Sequence, residues 1–468
     1  MLLKNKLLKN GFYYIVGTFL IQGVSFFTMP IFTRILSIEN YGIISLYNTW
    51  LSIFIILFSF QSHGIIPMAK LEYSKEEFKD YHSNIYLLII FIALFLGGGL
   101  IAFKETFSNI LSLDPFSLLC LILQSFAMGI INIKMSIYVF DERPKEKLLV
   151  SFILIVINVL LSIYFIRKVE YFSNYKGRIL GNVIPTFIIA FFFLFSTFKV
   201  KKPKINPIYW KFSLGLSIPL IFHGLSNVVM SGSDKIFIEK YRDFSEVGLY
   251  NLSYTLGLVI NILWVAFNNA WVPWYHKNLK TNNNLLIFKY SKYYLKIFSA
   301  ICIGYLMIIP EVIKIMAPPK YYSGLYILPL IIASYFFVFL YSFSVNYEFY
   351  AKKTKYIGLA TTGASLINII LNIIFVPKYG YIAAASTTLV SYFFMFLFHE
   401  FITRKLFKYN ILNLKDYIIH TSILLFFILI YYFYLSNILI RYLFLLAYFF
   451  ILILSFYKKN KIDFQTYS

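Results

Sequence analysis

The sequence predicts an all-α integral membrane protein with about fourteen transmembrane helices. Twelve of these form two six-helix lobes in a parallel, pseudo-twofold repeat, and a C-terminal helix pair follows. Three observations carry this expectation: long apolar runs with short polar gaps, cations concentrated in alternate gaps, and an internal duplication.

The 468-residue chain is 60% hydrophobic and only 13% charged. A soluble protein of this length lacks the interior to hide so much apolar surface, so lipid must be part of its solvent. The net charge of +23 does not point to nucleic acid, because the Lys and Arg sit in short gaps between apolar runs rather than on one polar surface. Cys120 and Cys302 each lie inside an apolar run and support neither a disulfide framework nor a metal site. The N-terminal Lys4, Lys6 and Lys9 lead into a run too long for a cleavable signal, which is expected to stay as the first span.

A helix needs about twenty mostly apolar residues to cross the hydrocarbon. The first six runs that meet this are Phe12–Ile35, Ile43–Ile66, Ser83–Phe103, Phe116–Phe140, Leu148–Ile166 and Ile179–Phe198. After a basic linker come Phe212–Ile238, Val247–Trp274, Tyr293–Ile315, Leu325–Tyr350, Tyr356–Val376 and Tyr381–Ile402. Tyr417–Leu435 and Ile438–Tyr457 close the chain. Transmembrane strands are excluded, since the runs do not alternate and far exceed about ten residues. No loop is long enough for a folded domain outside the membrane.

Orientation follows from the cations. With the N-terminus inside, alternate loops hold clusters such as Arg143, Lys145 and Lys147, or Lys352, Lys353 and Lys355, and together with the two termini these loops carry 28 of the 43 Lys and Arg. The positive-inside rule then places both termini in the cytoplasm. The loop from Arg167 to Arg178 runs against the rule.

Comparison of the chain with itself reveals the duplication. Glu39-Asn40-Tyr41-Gly42-Ile43 resembles Ser245-Glu246-Val247-Gly248-Leu249 at an offset of 206, and the same offset pairs Pro67 with Pro273, each expected to close its second span. Ile157-Asn158-Val159 matches Ile367-Asn368-Ile369. The expected organisation is therefore a lobe over 1–198, a cytoplasmic linker over 199–211, a second lobe over 212–402, and an additional helix pair and tail over 403–468. An even number of spans per copy makes the copies parallel, an arrangement found in transporters whose halves rock about a central site.

Ionisable groups inside a span are costly in lipid and usually face a cavity or a partner, or snorkel to an interface. Arg34, Lys134, Asp234, Lys235 and Glu348 are such groups, and Asp234 can neutralise a neighbouring cation. Helical spacing puts His223, Asn227, Ser231 and Asp234 on one stripe of the seventh span, and Asn261, Trp264, Asn268, Trp271 and Tyr275 on one stripe of the eighth. Indole rings along a polar path suit sugars, so the Trp/Asn stripe is read as lining a cavity. Ser151, Asn158 and Ser162 of the fifth span, and Thr361, Ser365, Asn368 and Asn372 of the eleventh, are read as helix-packing groups. His63 reads as a satisfied interior group, and His223, sharing a face with Asp234, is the better proton candidate. Zincin, phosphate-loop and nucleophile-elbow motifs are absent, so the sequence offers no cofactor site and no direct use of ATP.

Thr33-Arg34-Ile35-Leu36-Ser37 followed by Glu39-Asn40-Tyr41-Gly42 resembles the first-loop signature of bacterial polysaccharide flippases. Asp234-Lys235-Ile236-Phe237-Ile238 followed by Val247-Gly248-Leu249-Tyr250 resembles their seventh-span signature. These proteins belong to the multidrug/oligosaccharidyl-lipid/polysaccharide exporter superfamily, and the resemblance covers the first twelve spans. It implies a central cationic cavity, alternating access, and movement of an undecaprenyl-diphosphate-linked oligosaccharide across the bacterial inner membrane, as in O-antigen or capsule assembly. It also implies membrane lipid and a polysaccharide polymerase as partners, and H+ or Na+ as the coupling ion. Arg34 stands where the family places a basic residue and Asp234 where it places an acidic one. The last two spans depart from the twelve-span pattern and match the lipid II flippase branch, where an extra pair adds a groove for the lipid tail.

Arg34, Lys134 and Lys235 are the cations available to a buried diphosphate. Trp264, Asn268 and Trp271 would meet the glycan, and His223, Asp234 and Glu348 are the ion-coupling candidates. A multidrug/cation antiporter of the same superfamily is the nearest alternative, but it would need carboxylates deep in the first six spans, where none occurs. A membrane enzyme such as a polymerase or acyltransferase would need a long outer loop or a membrane-facing His. The short loops and the duplication argue against it.

Overall fold

A computed structural model describes residues 23, 26–172 and 174–465, and among these there is no strand. The first part of the span Phe12–Ile35, with Lys4, Lys6 and Lys9, lies outside the described residues; its end is a helix, α1, over 26–35. The helices that follow in the first half are α2 (Ile38–Ser59), α3 (Ile66–Glu72), α4 (Lys75–Ala102), α5 (Lys104–Leu111), α6 (Pro115–Phe140), α7 (Pro144–Lys168) and α8 (Tyr175–Val200). The second half holds α9 (Pro207–Tyr241), α10 (Phe244–Lys280), α11 (Asn284–Met316), α12 (Leu328–Tyr350), α13 (Thr354–Phe401), α14 (Leu414–Phe433) and α15 (Ile438–Gln465). Among the described residues, 12 helices are long and apolar enough to cross a membrane. The chain is an all-α, multi-pass membrane protein.

Local chemistry fixes many of the helix ends. Ser74 and Glu77 form a reciprocal capping box at the start of α4, and Asp114, Asn174 and Asn206 cap α6, α8 and α9 through their side-chain oxygens. Pro occupies the first turn of α3, α6, α7 and α9, where its missing N–H costs no helical bond.

One helix carries two of the expected spans. α13 has 48 residues, which as a straight helix would reach about 70 Å, more than twice the hydrocarbon thickness of about 30 Å. It is broken at Gly380, where φ is 57° and ψ is −139°. Only glycine adopts that conformation readily. The break falls between the eleventh and twelfth expected spans, and Glu246 of α10 closes it by accepting the Tyr381 N–H at 2.9 Å. A carboxylate there also complements the positive end of the helix that restarts.

The proline landmarks of the duplication behave differently from each other and from the expectation. α2 ends before Pro67, because Phe60 and Gln61 take left-handed backbone angles and a single turn of 3-10 helix follows; Pro67 then opens α3. Pro273 lies inside α10, which continues through it to Lys280.

Packing divides the chain into two compact units. The first comprises Met1–Asn251 with Ile369–Ala384, and the second Leu252–Asn368 with Ala385–Ser468. In the first unit, the segment leading into α9 is pinned to α4. Asn84 accepts the Asn206 N–H at 3.0 Å, the Trp210 indole donates to the Asn84 carbonyl at 3.2 Å, and Tyr81 meets Ser213 at 2.7 Å. In the second unit, the C-terminal pair is bound to α11. Arg441, almost fully buried, donates to the Met307 carbonyl and forms an ion pair with Glu311 at 2.5 Å. Large apolar side chains that face outward, such as Leu94 and Phe95 on α4 and Phe191, Phe192 and Phe195 on α8, form the lipid-facing surface.

The duplicated motif meets itself. A Cβ on Gly42 would lie 1.8 Å from the Phe244 carbonyl oxygen, and a Cβ on Gly248 would lie 2.4 Å from the Ile38 carbonyl oxygen. Ile38 and Phe244 are separated by the same 206 residues as Gly42 and Gly248. Each glycine thus receives the backbone of the other copy's first residue, the reciprocal pattern that a two-fold axis imposes. The crossing of α2 and α10 is close because neither helix has a side chain there.

Gly42→Leu should force these helices apart at a cost of about 1–3 kcal/mol or more, as overpacking does. A lower melting temperature in detergent by scanning fluorimetry would register it. Gly380→Ala should also destabilise, since it adds a strained φ to a clash with the Glu246 carboxylate. An unchanged melting temperature for both would contradict the packing described.

Candidate functional site

The first unit gathers its intramembrane charge around the end of α9. Asp234 is buried, only 2% exposed. Its carboxylate accepts a hydrogen bond from the Asn372 amide at 2.6 Å and another from the Tyr250 hydroxyl. Lys235 donates to the Asn251 side chain at 2.9 Å. Asn251 in turn bonds the hydroxyl of Tyr41, and Tyr41 lies in the electrostatic field of Arg178. Arg178 is itself held from two sides: its guanidinium stacks 3.9 Å from the centre of the Phe32 ring and donates to Ser162 at 2.9 Å. α9, α10 and α13 therefore converge on Asp234 and Lys235, and Asn251 and Tyr41 lead from Lys235 towards a second half-buried cation, Arg178.

The helix crossing makes this possible. Tyr41 directly precedes Gly42, and Tyr250 and Asn251 follow Gly248 by two and three residues. The segments that bring α2 and α10 together also present the groups that bond Asp234 and Lys235. Further along α9, Gly232 packs against Thr49, where a Cβ would come within 3.1 Å of the Thr49 methyl. Beside that contact lies a small cavity of 220 Å³, lined by Asn48, Thr49 and Ser52 of α2 and by Ser231 and Lys235 of α9. Val228 and Gly232 complete the lining, and the polar part of it, hydroxyl, carboxamide and ammonium, is a donor set that an anion can use.

The same unit holds a larger, open cavity of 650 Å³ among α2, α6, α7 and α8. Gln124, Asn132, Asn158 and Asn182 supply carboxamides, His63 an imidazole, and Lys147 an ammonium. The described lining holds no carboxylate. Ser151 and Asn158 face this cavity, whereas the sequence pattern had them packing helix on helix. Ser162 does pack: its hydroxyl is 2.3 Å from where a Cβ on Gly181 would be, so α7 and α8 touch closely there.

The sequence-derived cations occupy three distinct settings. Lys235 belongs to the cluster above. Arg34 is exposed at the end of α1 and donates to the Pro30 carbonyl at 2.7 Å. Lys134 is half-buried with its ammonium above the rings of Tyr138 and Phe193, at 5.5 and 5.9 Å. Arg178, placed in a loop by sequence, lies in the first turn of α8 and packs into the helix bundle. The signal was present: the Arg167–Arg178 loop breaks the positive-inside pattern, and a cation committed to the protein interior has no reason to obey it.

The remaining candidates fall in two places. His223 is exposed on α9 and pairs with Asn227 at 3.2 Å, while the stripe it begins ends in the buried Asp234. In the second unit, Trp271 packs among Tyr275, Trp274, Tyr294 and Phe343. Trp271 and Trp274 form part of an aromatic groove of 330 Å³. The indole N–H groups of Trp264 and Trp271 are buried without a partner among the described residues. Asn268 is bonded to Asn346 at 2.9 Å. Glu348 is fully buried against His399.

Comparison with known proteins bears on this arrangement. Residues 7–279 match the model of a family described as polysaccharide biosynthesis protein. The chain belongs to that family. Protein 1 of the Lsg locus of Haemophilus influenzae is 28% identical over 413 residues, covering 83% of this chain and 98% of its own length. Among solved structures, the lipid II flippase MurJ in an inward closed conformation aligns over 95% of this chain and 98% of its own, with a TM-score of 0.71 at 18% identity. An inward-facing multidrug resistance MATE transporter of the MOP superfamily aligns over 83% and 96%, with a TM-score of 0.63 at 12% identity. The fold is therefore the one these two transporters share.

Asp234→Ala should destabilise the fold by about 1–3 kcal/mol for each donor left unpaired, since it removes the acceptor of Asn372 and Tyr250. Asp234→Asn should cost much less. Thermal melting of the purified variants checks the difference, and equal stabilities would mean that the carboxylate is not the anchor described.

Proposed function

We propose that this protein flips undecaprenyl-diphosphate-linked oligosaccharide repeat units across the bacterial inner membrane, by ion-coupled alternating access, for surface polysaccharide assembly. Membership of a polysaccharide biosynthesis family supports the pathway, and a fold shared with a lipid II flippase supports a lipid-linked cargo. The observation that carries the reading is the cationic, carboxamide-rich interior of the first unit. Lys235 lines a polar cavity and is joined through Asn251 and Tyr41 to the neighbourhood of Arg178.

A diphosphate concentrates negative charge, and taking it out of water requires ammonium or guanidinium partners with free donors. In this reading Arg34, Lys134 and Lys235 provide successive positive positions, with Arg178 added by the geometry. The glycan meets Trp264, Asn268 and Trp271, and its polyprenyl chain stays in lipid. Asp234 and His223 are the coupling candidates of α9, with H+ or Na+ as the ion, and Glu348 is that of α12. Both termini lie in the cytoplasm, and a polysaccharide polymerase takes the flipped unit.

Arg34→Ala and Lys235→Ala should each abolish polymer export and leave lipid-linked repeat units facing the cytoplasm, with Lys235→Arg retaining partial export. Surface polysaccharide blots, combined with enzymatic access to the saccharide in inverted and right-side-out vesicles, read both effects. Normal export in well-expressed alanine variants would remove these cations from the mechanism.

A further inference from the structure

The second unit contains a pair of titratable side chains that is more deeply enclosed than any charge at the candidate site. Glu348, near the end of α12, and His399, near the end of α13, meet at 2.9 Å between the carboxylate Oε1 and the imidazole Nδ1. Both side chains have zero exposure. Each also carries a second polar atom, Oε2 of Glu348 and Nε2 of His399, that is buried without a hydrogen-bond partner among the described residues. Each of these atoms can still take a proton or a hydrogen bond.

The surroundings separate this pair from the other charges nearby. The Tyr341 ring stacks on His399 and Phe398 meets it edge-on. The adjacent carboxylate, Glu400, is fully engaged: it accepts from Arg404 at 2.7 Å, from Ser344 at 2.6 Å and from the Tyr417 hydroxyl at 3.0 Å. Arg404 is spent on Glu400 and on the Leu412 carbonyl. On α14, Asp416 pairs with Lys292 of α11. From α10, His276 approaches α12 but is bonded to the Asn346 carbonyl. Among the described residues, Glu348 has no ion-pair partner besides His399.

We propose that Glu348 and His399 form a proton-binding pair that takes up one proton when enclosed and releases it when its surroundings are hydrated. In the released form, Nδ1–H donates to Oε1, Nε2 carries a lone pair, and the pair bears one negative charge. Uptake forms an Nε2–H bond with a proton from water, and the pair becomes an imidazolium–carboxylate of zero net charge; no other bond changes and nothing is oxidised. Burial without compensating partners favours the neutral form, whereas water reaching Oε2 and Nε2 would supply the donors that stabilise the charged form. Proton occupancy is thereby tied to whether the ends of α12 and α13 are closed or open to water, which is the link an ion-coupled cycle requires. Glu348 lies two residues before the end of α12, and His399 lies two residues before α13 passes into a π-helical turn over Ile402–Leu406. The coupling role rests on the flipping reading above; the proton binding does not.

The test is infrared difference spectroscopy of the full-length protein in lipid during a pH titration. The wild-type protein should show an imidazole band and a carboxylate band that change together. Glu348→Gln should remove the carboxylate change and shift the imidazole one, and His399→Gln should remove the imidazole change. Identical difference spectra for wild type and both variants would overturn the pair. Size-exclusion profiles establish that each variant is folded, and either variant alone suffices for the comparison. Coupling is read separately in cells: polysaccharide export through the wild-type protein should fall several-fold when a protonophore collapses the pH gradient, and export through Glu348→Gln should be low and indifferent to it. Equal protonophore sensitivity of the two proteins would overturn the coupling role. Undiminished export in cells lacking the chain altogether would defeat the flipping reading and leave the spectroscopic result standing.

Discussion

A carboxylate that enters a membrane-spanning helix bundle must find its partners inside the protein, and Asp234 shows how much structure that demand organises. Its two oxygens are occupied by groups from α10 and α13, and the next residue, Lys235, reaches back to α10. None of these bonds forms unless α10 passes close to α2 and α9 at a defined height. The reciprocal glycine contact sets that height. Gly42 and Gly248 remove the side chains that would hold the helices apart, and Tyr41, Tyr250 and Asn251 lie within one turn of them. The glycine contact is reciprocal between the two copies, and the charge satisfaction built on it belongs to the second copy alone.

The same constraint explains where the sequence was legible. Span positions were readable because water and lipid impose a coarse, additive rule on length and apolarity; each expected span from the second onward has a helix in the structure, with ends shifted by local caps such as the Ser74–Glu77 box. The break between the eleventh and twelfth spans was placed correctly, although the chain does not leave helical geometry except at Gly380. The fate of Pro67 and Pro273 was not readable. Whether a proline ends a helix or merely kinks it depends on the preceding residues, here the left-handed Phe60 and Gln61, whose backbone state no pattern announces.

For the candidate site, residue type was legible and company was not. Asp234 and Lys235 stood out as ions in a span, and their cluster is real. The stripe rule put His223 on the same face, yet one end of that stripe is exposed and the other buried, since a helix of 35 residues passes through more than one environment. Arg178 was missed because hydropathy assigned it to a loop. It is drawn into the bundle by Ser162 and Phe32, whose proximity depends on Gly181 letting α7 and α8 touch. Such three-way dependence is invisible to any one-dimensional rule.

The buried and half-buried charges are satisfied differently in the two units. In the second unit, buried charges are closed into pairs: Arg441 with Glu311, Arg404 with Glu400, and Glu348 with His399. In the first, Lys235 and Arg178 donate to the neutral oxygens of Asn251 and Ser162, and Asp234 accepts from Asn372 and Tyr250. Neutral partners stabilise a cation without cancelling it. In the flippase reading proposed above, an anion arriving in the polar interior of that unit would add its charge to the hydrogen bonds these cations already make, and the neutral groups would hold the cations in place between visits.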